Sequence, residues 1–169
     1  MPGAHATCDR CDVRCRRKRV FDPNFRAALW ASQDAMRSRL IELAASCDTV
    51  MPGVAEGLAL AGTGEPAAIA RFFRDRGAAR VIVKLCPHGA YFDDRAAGSG
   101  TVPAHPVSRV IDTVGAGDGF AVGVLSALLE GRDVSDAVRR SAWIGARAAQ
   151  VISDTERSPH REELEEAGL

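Results

Sequence analysis

The sequence predicts an α/β protein, and three observations predict it. Residues 79–85 (ARVIVKL) are a short, nearly continuous apolar run of the kind that a strand covered on both faces requires. Segments with helical apolar spacing alternate with such runs, at 27–46, 65–76 and 135–152. A β-branched run at 110–114 leads into Gly115-Ala116-Gly117 and then into Phe120, Val124 and Leu128, with Leu125 and Leu129 beside them. That pattern reads as a strand end, a tight glycine loop and the first turn of a buried helix.

Composition frames this reading. A chain of 169 residues suits one domain with a real core, and 46% apolar residues make it globular. Its 22 basic residues balance 22 acidic ones, which removes any general attraction to nucleic acid or an anionic membrane. Lysine occurs only at 18 and 84, an arginine bias that we attribute to genome composition. No run approaches a membrane span and the N-terminus lacks the apolar centre of a signal peptide, so a cytoplasmic location is the default expectation.

The elements follow in order. Residues 1–19 stand apart: Cys8, Cys11 and Cys15 alternate with Asp and Arg, and Arg16-Arg17-Lys18-Arg19 follows. Three cysteines could open a zinc site, but His5 is the nearest further ligand and Cys47 is distant. No aromatic residue is interleaved to stack on bases. Residues 19–21 read as a short strand and Asp22-Pro23-Asn24 as its terminating turn. Residues 27–46 read as a helix with Leu29, Met36, Leu40, Leu43 and Ala44 in its apolar stripe, and 48–51 as another short strand. Pro52-Gly53 precedes a helix from Val54, in which Glu56 is a first-turn acid. A helix over 65–76 carries Ile69, Phe72 and Phe73 as core residues and stops at Gly77. At the end of the 79–85 strand, Lys84 is an unpaired cation in an apolar run. Residues 90–92 read as a strand, 96–101 as a surface loop, and 101–107 as an edge strand because of Pro103 and Pro106. His88 and His105 are isolated and read as non-catalytic. A helix rich in small residues over 135–152 can pack closely on the preceding one, and an acidic helix over 161–166 follows Pro159.

The loop at 115–117 carries the chemistry. The first turn of a helix has free N–H groups and the positive end of the dipole, and residues this small let a phosphate approach the backbone. A carboxylate at Asp118 would repel a merely stored phosphate. It makes sense if it removes a proton from a hydroxyl that attacks the phosphorus. The alternative is an ordinary first-turn acid favouring the helix dipole.

The stretch DTVGAGD (112–118) resembles the C-terminal signature of the ribokinase-like, PfkB-type carbohydrate kinases. The segments FDPNFRAALW (21–30) and KLCPHGA (84–90) resemble two further segments of that family, the first in the manner of its 2-keto-3-deoxygluconate kinases and fructokinases. The resemblance implies the C-terminal half of a Rossmann-like three-layer αβα fold, with residues 20–169 as the partial kinase domain. It implies transfer of the ATP γ-phosphate to a sugar hydroxyl, most nearly that of 2-keto-3-deoxygluconate. A fragment that binds nucleotide without turnover, or fructokinase- or ribokinase-type specificity, are the alternatives.

By the same resemblance Asp118 is the base. Gly115, Ala116 and Gly117 form the anion hole, and Lys84, Gly89, Gly115 and Gly117 lie at the nucleotide. Asn24 and Arg26 face the sugar acid, for which a guanidinium fork is suited. Glu56 acts on magnesium through water, and Asp112 neighbours a monovalent cation such as potassium, which not every member uses. Two departures stand out: Gly53 replaces an Asn, and Cys86 replaces the first Gly of the KLCPHGA segment. Members of the family are nearly twice this long. The implied partners are therefore ATP, a small sugar or sugar acid, and either a second copy or a complementing N-terminal half, with no nucleic acid or membrane among them. Residues 1–19 stand where preceding family elements belong, and we read them as the product of a displaced start or frameshift.

Overall fold

The computed structural model describes residues 18–151 and 159–169. The cysteines at 8, 11 and 15 and the loop at 152–158 lie outside the described residues, so the metal reading of the first segment is not addressed.

Five strands form one sheet in the order of the chain: β1 (Val20–Phe21), β2 (Thr49–Val50), β3 (Arg80–Lys84), β4 (Ala90–Asp94) and β5 (Gly98–Val102). The β1–β2 and β2–β3 pairs are parallel, and the β3–β4 and β4–β5 pairs are antiparallel. Helices α1 (Gln33–Ala45), α2 (Val54–Ala61) and α3 (Pro66–Arg74) supply the parallel crossovers; α4 (Ala116–Leu129), α5 (Val134–Ala148) and α6 (Arg161–Glu166) follow the sheet.

Side-chain alternation along β3 divides the core. Val81 and Val83 pack with Met36, Leu40, Ala44, Leu60, Ile69 and Phe73, so α1–α3 cover one face. Ile82 packs with Ala90, Phe92, Phe120, Val124, Leu128, Val134 and Val138, so α4 and α5 cover the other. The expected three-layer αβα arrangement is present, and the continuous apolar run of β3 is the consequence of being covered on both faces.

Helices α4 and α5 meet at glycines. A Cβ at Gly123 would collide with the Cα of Ser141, and one at Gly145 would lie 3.0 Å from the Ala116 carbonyl oxygen. The Ser141 hydroxyl, fully buried, donates to the Ala137 carbonyl at 2.6 Å. At the far end the buried Arg140 donates to Glu130 at 2.7 Å, and Arg132 donates to the Leu169 carbonyl at 2.9 Å, which ties the C-terminus to this pair.

Four expectations need correction. Residues 27–46 are not one helix: Ala27–Leu29 is a single 3₁₀ turn, Trp30 is extended, and α1 starts afresh after Ser32, whose Oγ accepts from Ala35 N–H at 3.1 Å. A serine N-cap is a stronger boundary than the apolar spacing that runs through it, and Leu29 is left 83% exposed. The small-residue segment at 96–101 is largely β5 rather than a loop, and the edge strand expected over 101–107 ends at Val102. Asp94 makes the hairpin tight by accepting from Ala96 and Ala97 N–H at 2.7 and 2.9 Å, and the Phe92 ring covers Gly100. The β-branched residues at 110–114 are not a strand: the sheet ends at β5, and the Ile111 and Asp112 amides donate instead to the Ala149 carbonyl at the end of α5. Leu125 and Leu129 are exposed, because α4 buries only the stripe through Phe120, Gly123, Val124, Ala127 and Leu128.

Gly123→Ala is expected to lower stability by about 1–3 kcal/mol through overpacking against the α5 backbone, read from the urea midpoint. A second outcome concerns acid. Burial opposes ionisation of Asp94, but the Ala97 and Ala96 amides and the Arg80 guanidinium, bonded at 2.6 Å, outweigh it and hold the carboxyl below the ordinary carboxylate range. Its stabilising contribution is complete above that range and is lost as pH falls through the lowered native value. Urea midpoints recorded from neutral to acid pH should therefore fall less steeply in Asp94→Asn than in the parent chain.

Candidate active site

Parallel strands place their carboxyl ends at one edge of the sheet, where ligands of open α/β folds bind. β1 runs into Asp22-Pro23-Asn24, β2 into Met51-Pro52-Gly53 and β3 into Lys84. The start of β4 and the end of β5 lie at the same edge, since Lys84 faces Ala90 and Ala90 faces Val102.

Each segment has local reasons for its shape. Asn24 takes a left-handed conformation (φ 32°), and its side-chain oxygen accepts from Arg26 Nη1 at 2.8 Å. Both side chains are exposed, so the guanidinium is pre-oriented yet open to solvent. Glu56 folds back on the start of its own helix and accepts from Gly53 N–H at 2.7 Å. That contact is a helix cap, and it occupies one carboxylate oxygen. Lys84 is not the unpaired cation expected: its Nζ donates to both carboxylate oxygens of Asp22, at 2.7 and 2.6 Å. Cys86–His88 forms a 3₁₀ turn closed by Gly89, whose φ of 95° and contact with the Val102 carbonyl leave no room for a side chain.

The second group is the start of α4. Gly115, with φ 81°, turns the chain into the helix. Asp112 Oδ1 accepts from Val114 N–H at 2.9 Å, and Ala116 N–H donates to the Thr113 carbonyl at 3.3 Å. The N–H groups of Gly117 and Asp118 have no acceptor among the described residues, as the first turn of a helix dictates. A Cβ built on Gly117 would meet nothing within 4 Å, and both residues are exposed, so this turn is open to solvent. The Asp118 side chain is exposed and, among the described residues, makes no ion pair or hydrogen bond. Two free amides, an open approach and an unengaged carboxylate make a site that can bind an anion and accept a proton.

The strand-end group (Asp22, Asn24, Arg26, Glu56, Lys84, Gly89) and the α4 group (Asp112, Gly115, Ala116, Gly117, Asp118) are not joined by a hydrogen bond or ion pair among the described residues. Packing relates them: Phe120, two residues beyond Asp118, shares a core cluster with Met51, Ala90 and Val102 at the strand-end edge. For a divalent cation there is no protein cage, because no group of three or more His, Cys, Asp and Glu side chains gathers among the described residues. Glu56, with one carboxylate oxygen left free by its cap, is the candidate contact for a hydrated magnesium ion, which keeps waters and binds chiefly through substrate phosphates. Sequence reasoning missed Asp22 as the partner of Lys84. The available signal was a lysine and an aspartate at the carboxyl ends of two strands in one parallel sheet.

Comparison with known proteins decides the family, because the model of the pfkB family carbohydrate kinases matches residues 4–161. The chain belongs to this family. The match begins within the segment 1–19 that the sequence pattern sets apart. A pfkB relative, the 2-dehydro-3-deoxygluconokinase of Bacillus subtilis (strain 168), is 44% identical over 154 residues, covering 90% of this chain and 47% of that protein. Among solved structures, a PfkB protein from Polaromonas sp. JS666 superposes with a TM-score of 0.77 at 50% identity, covering 88% of this chain and 46% of that one. A fructokinase double mutant from Vibrio cholerae O395, crystallised with fructose, ADP and potassium ion, gives 0.78 at 25% identity over 87% of this chain and 49% of its own. The chain thus spans about half the length of these pfkB relatives. No helix among the described residues is long and apolar enough to cross a membrane.

Cys86 supplies a test of the site's backbone. It stands at φ 53°, in the left-handed region that favours glycine. Cys86→Gly is expected to raise stability by about 1 kcal/mol, measured by chemical denaturation.

Proposed function

We propose that this chain carries the phosphoryl-transfer half of an ATP-dependent sugar kinase whose acceptor is a sugar acid of the 2-keto-3-deoxygluconate type. The observation that carries this reading is the start of α4: two unpartnered amides at Gly117 and Asp118, a left-handed Gly115 before them, and an exposed Asp118 carboxylate bound to nothing else among the described residues.

Asp118 takes the proton of the sugar hydroxyl. The oxygen attacks the γ-phosphorus as the bond to the bridging oxygen breaks, and ADP leaves with that electron pair. The free amides of Gly117 and Asp118, at the turn made by Gly115 and Ala116, hold the transferring phosphoryl group, where fixed dipoles need no reorganisation as charge develops. Magnesium, when bound with the nucleotide, neutralises phosphate charge. Glu56, with one oxygen committed to Gly53, would have the other left to accept from a water of that ion. Asp112, held by its Asx turn, is the candidate neighbour of a potassium ion. Gly89 lets the turn close against the Val102–Ala104 backbone and so shapes the segment assigned to the nucleotide. Arg26, steadied by Asn24, receives the carboxylate of the sugar acid. The 44% identity to a 2-dehydro-3-deoxygluconokinase supports the sugar-acid assignment over fructose or ribose.

A second reading, a nucleotide-binding fragment that turns over only when complemented, is favoured by two observations. The chain spans about half of its relatives, and Val122, Leu125 and Leu129 expose an apolar stripe along α4. Its partner would be a separate N-terminal half or a second copy of the chain.

The purified chain, mixed with ATP, magnesium and 2-keto-3-deoxygluconate, is expected to release ADP in a sugar-dependent manner. Asp118→Asn should lower that rate by on the order of 10²–10⁴ while leaving ADP affinity intact. Undiminished turnover in the variant would overturn the role of Asp118. ADP binding without sugar-dependent release would favour the fragment.

A further inference from the structure

We infer that Lys84 is a positioning residue rather than a phosphate ligand: its ion pair with Asp22 locks the Cys86–Gly89 turn to the carboxyl end of β1. The inference rests on reading that turn as part of the nucleotide site.

The pair joins segments 62 residues apart and spans β2, which lies between the two strands. Both oxygens of Asp22 accept from the same ammonium, and neither residue has another side-chain partner among the described residues. The two side chains are only 19% and 21% exposed. A lysine drawn away to a phosphate would leave a carboxylate mostly shielded from water and without a counter-charge, and breaking one side of such a pair is costly. Paired as it is, the ammonium also presents little net charge to an incoming anion.

The positions on either side of the pair explain what it holds. The Lys84 backbone is already fixed, with its N–H donating to the Pro52 carbonyl at 2.8 Å and Ala90 opposite it. The turn begins at the next residue: Leu85 N–H donates to the Gly89 carbonyl at 2.8 Å, and Gly89 N–H to the Cys86 carbonyl at 3.2 Å. Gly89 abuts the Val102 carbonyl and cannot move toward β5. At the other end of the pair, Asp22 is followed by the buried Pro23, the left-handed Asn24 and then Arg26. The ion pair therefore sets the spacing between the segment bearing Arg26 and the segment bearing Gly89.

The experiment compares the full chain with Asp22→Asn, Lys84→Met, the double variant and Lys84→Arg, by amide hydrogen exchange and by ADP and adenosine affinity. In either single variant the Leu85 and Gly89 amides should exchange at least about tenfold faster while the amides of α4 and α5 keep their rates, which separates a local tether from general loss of stability. The double variant should exchange no faster than the singles, because it removes the same interaction without leaving a lone charge, and Lys84→Arg should keep slow exchange. Affinities for ADP and adenosine should fall together, severalfold, in both single variants. A Lys84→Met chain that loses ADP but keeps adenosine, beside an unchanged Asp22→Asn, would make Lys84 a phosphate ligand and overturn the inference. So would unchanged exchange at Leu85 and Gly89 in Asp22→Asn, which does not touch the turn directly. If the parent chain binds neither nucleoside nor nucleotide, the kinase reading fails, while exchange still decides the tether. Should Lys84→Met not fold, Lys84→Arg and Asp22→Asn still separate a tether from a phosphate ligand.

Discussion

The close approach of α4 and α5 is the constraint on which the rest of this structure depends. Gly123 lies against the Ser141 backbone, and Gly145 lies against the Ala116 carbonyl. Helices can come this near only where side chains are absent, and the contact runs to the first turn of α4. That turn is where the unpartnered amides and Asp118 sit. The end of α5 also holds the approach to it, since the Ala149 carbonyl accepts from the Ile111 and Asp112 amides. The site is therefore placed by packing on one side and by backbone hydrogen bonds on the other.

At the strand ends the governing effect is electrostatic. The sheet brings Asp22 and Lys84 to one edge, and partial burial gives their pairing more weight than a surface ion pair carries. Glu56 is likewise satisfied locally, by the Gly53 amide. Asp118 differs from both, being the carboxylate of the candidate site with no partner among the described residues. An exposed carboxylate beside two free donors is open to a ligand, whereas Asp22 and Glu56 are engaged within the chain.

What is legible in the sequence follows the range of the forces involved. Strand β3 is legible because seven neighbouring residues carry the signal, and α2, α3 and α5 because spacing and caps agree within a few positions. The small residues of α5 announce close helix packing, which the contacts at Gly123 and Gly145 bear out. The 110–114 run misleads, since β-branching favours a strand only where another strand is in reach, and none is among the described residues. Residues 96–101 mislead in the opposite sense: their glycines read as a loop until Asp94 and the Phe92 ring are seen to stabilise a hairpin there. At Ser32 the apolar spacing of 27–46 hides a cap that the folded chain uses.

By itself, the sequence determined the layered α/β class, the glycine turn ahead of α4 and the place of Asp118 in the first turn of that helix, because each is written in consecutive residues. Tertiary structure alone decided which charges are free and which are spent. Lys84 meets Asp22 only after three strands align, and Cys86 reveals its left-handed backbone only once the turn is closed. Pairing of charges across a sheet depends on distances that the chain acquires when it folds, and no local pattern encodes them.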